Sequence, residues 1–188
     1  MIETLRRVPR MLLVGAAARN AGKTEFLTRV IRRLSRDVPV VAIKATVIRA
    51  QGEAGGCARG GVGCGVCQSL GNRPYIIQAE TGDNPDKDMA RLLEAGASQA
   101  LWARIAEAHM AEARDELLSR IDPDAAIVCE SNTFRLAVEP DLFLVLRRQG
   151  EAWTKNSCLT VLPFADREVV SDGVGWDLDP DALGFDAA

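Results

Sequence analysis

Residues 17–24, Ala17-Ala18-Arg19-Asn20-Ala21-Gly22-Lys23-Thr24, bring a lysine and a hydroxyl together at the end of a run of small residues. That order of residue types suits phosphate chemistry. Small residues let the backbone wrap an anion, and the N–H groups of the loop and of the following helix start, Glu25 included, point at it. Lys23 would reach the terminal phosphates of a nucleotide and the Thr24 hydroxyl would ligate Mg2+. The pattern is that of a P-loop, with Ala17 where the first glycine usually stands and Gly15 two residues earlier. Ala17 is tolerable there if its φ stays negative and harmful if φ must be positive.

Four further sets of residues carry possible chemistry. Glu130 closes the apolar stretch 124–130, where a P-loop protein uses an acid to hold the magnesium shell or orient a water, with Ser131 and Asn132 beside it. Lys44 interrupts the apolar run 39–48; it either snorkels out of a sheet or faces the ligand crevice at the strand's end. Cys57, Cys64 and Cys67 lie in the glycine-dense stretch 50–72 at C-x6-C-x2-C spacing. Glycines around thiols permit the close backbone approach that Zn2+ or an iron–sulfur cluster needs. Redox pairing and a flexible loop with incidental thiols are the other readings of that stretch. A closed site needs a fourth ligand, for which Cys129, Cys158, a carboxylate, a water or a second subunit are available; Cys129, on an apolar strand, reads as core. Asp83, Asp86 and Asp88 are either helix caps or Mg2+ ligands.

The elements that must position these residues are legible as periodicity. Residues 11–14 read as a buried parallel strand, and 25–36 as an amphipathic helix with Phe26, Val30, Ile31 and Leu34 on one stripe. The arginines 29, 32, 33 and 36 fall largely elsewhere, as a solvated face. Residues 39–48, 75–80, 98–104, 124–130, 141–146 and 159–162 read as strands, and 89–95 and 107–121 as helices. His109, the sole histidine, is expected at the surface, and the acidic tail from residue 177 is expected to be loosely held. The expected fold is a single α/β domain over residues 1–188, a mostly parallel sheet flanked by helices, with the Gly/Cys-rich loop at 50–72 inserted.

Composition narrows the function. A chain of 188 residues with 47% hydrophobic residues and net charge −3 describes an ordinary globular protein. Basic residues are scattered without interleaved aromatics, so nucleic acid is not an expected partner. No run approaches membrane-spanning length and residues 1–10 lack an apolar signal core, which points to the cytoplasm. Five cysteines without an export signal favour thiols or a metal site over structural disulfides. Thr154-Lys155-Asn156-Ser157 stands where a GTPase would place its guanine-reading motif, but Ser157 replaces the aspartate, and the base stays open between guanine and adenine.

The order of strand, Ala21-Gly22-Lys23-Thr24, Ile43-Lys44, Asp86-Lys87-Asp88, Glu94-Ala95-Gly96-Ala97 and a strand ending in Glu130 resembles the MobB family. These are P-loop GTP-binding proteins associated with making the molybdopterin guanine dinucleotide cofactor. The resemblance runs through roughly 11–146 and implies a P-loop NTPase fold, nucleotide and magnesium roles for Gly22, Lys23, Thr24, Lys44, Asp88 and Glu130, slow hydrolysis of GTP or ATP, and a homodimer serving a cofactor-biosynthesis enzyme. The family's histidines after the second-strand lysine have no counterpart here, where Ala45-Thr46 stand and the cysteine loop follows. Two other functions fit the same residues: a chaperone that delivers a metal or cluster to a metalloenzyme client under nucleotide control, and a small-molecule kinase or ligase.

Overall fold

The computed structural model describes residues 5–18, 21–49, 69–82, 88–152 and 155–185. In chain order they form β1 (Arg6–Ala16), α1 (Lys23–Leu34), β2 (Val40–Ile48), β3 (Tyr75–Ala79), α2 (Asp88–Glu94), β4 (Gln99–Ala106), α3 (Met110–Ser119), β5 (Ala126–Glu130), β6 (Val138–Arg148), α4 (Asn156–Val161) and β7 (Arg167–Ser171). The strands make one sheet in the order β3-β4-β2-β5-β1-β6-β7. Every neighbouring pair is parallel except β3 with β4, which is antiparallel.

The central strands β2, β5 and β1 are apolar almost throughout because helices cover both of their faces. Strand alternation divides the core in two. Leu12, Val14, Ala42, Val128 and Leu144 point to the side of α1 and α2, where they meet Phe26, Ile31, Met89 and Leu92. Leu13, Ile43, Cys129 and Phe143 point to the side of α3 and α4, against Ala113, Leu117 and Val161. The α1 stripe is buried as its spacing requires, at Phe26, Leu27, Val30, Ile31 and Leu34.

Two expectations are overturned. Residues 159–162 are not a strand: they belong to α4 and the 3-10 turn Leu162–Phe164, and the last strand is β7. A short apolar run cannot be assigned by periodicity, and here the hydrogen bonds of Cys158 and Leu159 N–H to the Lys155 carbonyl start a helix that Pro163 limits. Nor is the tail loose through residue 185. Trp176, Leu178, Leu183 and Phe185 pack against the α1 side of the core, and Asp179 and Asp181 pair with Arg29. The tail's charge hid its apolar residues, which recur at positions able to cover α1. No helix among the described residues is long and apolar enough to cross a membrane.

Candidate functional site

The loop between β1 and α1 is held from three sides. Ala17 N–H donates to the Leu146 carbonyl at 2.9 Å, which extends the β1–β6 ladder by one residue. Lys155 N–H donates to the Ala17 carbonyl at 3.1 Å. The Asn132 side chain, just past β5, accepts from Ala16 N–H at 2.8 Å and donates to the Ala16 carbonyl at 3.1 Å. Its amide nitrogen also lies 3.3 Å from Ser157 Oγ. Gly15 is required by this contact, since a Cβ there would come within 2.6 Å of Asn132 Oδ1. Ala17 and Ala21 are buried, and among the described residues Arg10 is the one non-glycine with positive φ, so Ala17 stands in the loop without strain. Arg19 and Asn20 lie outside the described residues.

At the end of the loop Gly22 takes the left-handed conformation, φ 79°, and α1 begins at Lys23 without a side-chain cap. The first-turn N–H groups have no intrahelical acceptor, which leaves them aimed at whatever sits in front of the loop. Register then gathers the charged residues. Val14 of β1, Glu130 of β5 and Lys44 of β2 are consecutive partners across three strands, and so share one row at the C-terminal edge of the sheet. Glu130 follows Ala126 and Val128 in alternation, and Lys44 follows Val40 and Ala42, so both side chains emerge on the α1 face.

There they meet the helix starts. Lys23 Nζ lies 3.4 Å from Glu130 Oε1, with both side chains largely shielded. Lys44 Nζ lies 2.8 Å from Asp88 Oδ2 at the start of α2, and Thr24 Oγ1 donates to Asp88 Oδ1 at 3.2 Å. Burial pushes the Asp88 carboxyl up, but the Lys44 and Thr24 hydrogen bonds and the charges of Lys44 and Arg91 outweigh it and hold the group below the usual carboxylate range. Lys44 thus faces the crevice. Lys23, Thr24, Lys44, Asp88 and Glu130, chosen from sequence, form one cluster.

Other candidates fall elsewhere or outside the described residues. The Glu25 side chain turns away and pairs with Arg91 at 3.0 Å, leaving its backbone alone at the helix start. Cys57, Cys64 and Cys67, with Asp83 and Asp86, lie outside the described residues. Cys129 and Cys158 are fully buried free thiols. Burial raises Cys129, and pushes Cys158 up to about 11 against the opposing charges of Lys155 and Lys23. Both therefore stay protonated at neutral pH, which suits core packing. His109 sits at the surface as expected, with Glu112 as a partner at 3.2 Å. Of the four outward arginines, Arg29 is tied to Asp179 and Asp181 and Arg33 to Asp37.

Sequence reasoning missed one contributor and read another only in part. Trp176 lies edge-on to Phe26, ring centroids 5.3 Å apart, and would meet a Cβ on Gly22 at 3.5 Å, so it backs the loop's last glycine. Asn132 was legible as a polar neighbour, though not as the residue that pairs with both backbone groups of Ala16. Among the described residues no group of three His, Cys, Asp or Glu gathers as a metal site. No protein-family model, curated protein or solved structure matches this chain.

Proposed function

We propose that the chain is a P-loop nucleotide-binding protein that binds Mg2+ with GTP or ATP, hydrolyses it slowly, and acts, in the manner of the MobB family it resembles, as an accessory factor in molybdenum-cofactor biosynthesis. The observation that carries the reading is the convergence of Lys23, Thr24, Lys44, Asp88 and Glu130 in front of an uncapped helix start. Two ammonium groups and a row of free N–H groups suit a polyphosphate. The hydroxyl and two carboxylates are hard oxygen donors, and Mg2+ characteristically takes one or two carboxylates while substrate phosphates and waters complete its shell. Bound there, Mg2+ would neutralise phosphate charge. The chain's own part is positioning: Lys23 for the terminal phosphates, Thr24 and Asp88 on the α2 side, Glu130 to orient the metal shell or a water.

Glu130→Gln tests the division of labour. Nucleotide affinity should change by less than about threefold while turnover falls by about a hundredfold or more, the scale of a general-base contribution; unchanged turnover would make Glu130 structural. The spacing of Cys57, Cys64 and Cys67 supports a second reading, in which nucleotide state gates delivery of zinc or a cluster from that loop. Metal content of the protein purified without oxygen, with and without Cys64→Ser, distinguishes it.

A further inference from the structure

Arg104 and Arg114 are the two buried arginines among the described residues, and their charges are answered differently. Arg114 pairs with the Asp115 carboxylate at 2.9 Å and donates to the Ala137 carbonyl at 3.1 Å. The partners of Arg104 among the described residues are all neutral: Ser69 Oγ at 3.0 Å from Nη1, Gln78 Oε1 at 2.9 Å from Nη2, and the Trp102 ring, whose centroid lies 4.5 Å from the guanidinium carbon. Its Nε is buried and has no hydrogen-bond acceptor. Burying a cation without a counter-charge is costly, and guanidinium is the cation that matches an oxyanion best, through two parallel N–H groups. Nε and Nη2 donate along the same edge of the group, and Gln78, the acceptor on Nη2, is exposed. An oxyanion that displaces Gln78 Oε1 would satisfy both donors.

The sheet puts this cation beside the nucleotide cluster. Arg104 follows Ala100 and Trp102 in alternation on β4, and so shares the α1 face with Lys44 and Thr46 of β2. Trp102 is the register partner of Lys44, and Arg104 that of Thr46. Trp102 Nε1 donates to Thr46 Oγ1 at 3.2 Å, which holds the ring against the guanidinium. Arg104 thus lies one strand across from Lys44 and two residues further toward the C-terminal edge, about 8 Å between Cα atoms. Resting on the nucleotide-binding reading above, we propose that Arg104 anchors a second-substrate site: it binds the carboxylate or phosphate group of a small anionic co-substrate, alongside the terminal phosphates assigned to Lys23.

The probes are orthophosphate and succinate, titrated into the full chain at an ionic strength held constant with chloride. The variants are Lys23→Ala, which removes the competing phosphate loop, and Arg104→Met, made alone and together with Lys23→Ala. At least one probe should bind saturably to the wild type and to Lys23→Ala, and the tighter one tells whether the anchored group is a phosphate or a carboxylate. Adding Arg104→Met to Lys23→Ala should weaken that binding by about tenfold to a hundredfold, the worth of hydrogen bonds to a charged group. On its own, Arg104→Met should keep Mg·GTP and Mg·ATP affinities within about twofold, as a change outside the phosphate contacts does. It should also melt at or above the wild-type temperature in chloride, because an apolar replacement relieves an unpaired buried charge, and lose the rise in melting temperature that the probe gives the wild type. Equal probe binding with and without Arg104, no probe binding to the wild type, or an Arg104→Met variant that fails to fold, which would make the guanidinium structural, would overturn the co-substrate site and leave the phosphate-loop reading standing. Probe binding that needs Arg104 in a protein that binds neither nucleotide would overturn that reading, and the co-substrate role with it.

Discussion

Asp88 is the residue on which the cluster's electrostatics turn. It receives Thr24 and Lys44 together, and its carboxyl is held below the usual range. A carboxylate depressed in the folded state adds stability that is fully present above its unfolded value and is lost as pH falls through its folded one. The melting-temperature gap between wild type and Asp88→Asn should therefore persist from pH 7 down past about pH 4, the unfolded carboxylate value, and close only below it. Closure near pH 6 would contradict the pairing. The residue types at 23, 24, 44, 88 and 130 made this cluster readable from sequence, because each is a charge or hydroxyl that interrupts or closes an apolar run or opens a helix. The pairing of Asn132 with both backbone groups of Ala16 was not readable. It depends on the ends of β5 and β1 lying side by side, a non-local pairing that no local pattern announces.

At the scale of elements, the sheet gives the cluster its geometry. The central strands and α1 follow from apolar runs and 3.6-residue periodicity, while strand order and the register of Val14, Glu130 and Lys44 do not, since pairing is non-local. The exchange of strand for helix at 159–162 has the same cause: an isolated apolar run looks alike in both states. Asn132 joins the end of β5 to the end of β1 and reaches Ser157 in α4, and Gly15 is what gives it room. Gly15→Ala should push Asn132 off Ala16 and destabilise the fold by about 1–3 kcal/mol, as overpacked sites do. Urea denaturation measures it, and a loss under about 0.5 kcal/mol, the scale of a neutral surface change, would mean that the contact is dispensable.

For the molecule as a whole, the 176–185 segment closes one face over α1. Its acids are exposed in their pairs with Arg29, so those pairs contribute little individually; the apolar contacts of Trp176 with Phe26 do more. Trp176→Ala should cost about 2–4 kcal/mol, near the lower range for core aromatic truncation because the ring is only partly buried, and thermal or urea unfolding that is indistinguishable from wild type would return the tail to a loose appendage. The proposed function turns on whether the edge formed by Lys23, Thr24, Lys44, Asp88 and Glu130 binds a nucleoside triphosphate. Isothermal titration of Mg·GTP and Mg·ATP into the wild-type protein and into Lys23→Ala tests it most directly. Saturable binding in the wild type, lost in a variant with unchanged circular dichroism, is the predicted result; equal affinity in the two, or no binding to the wild type, would contradict it.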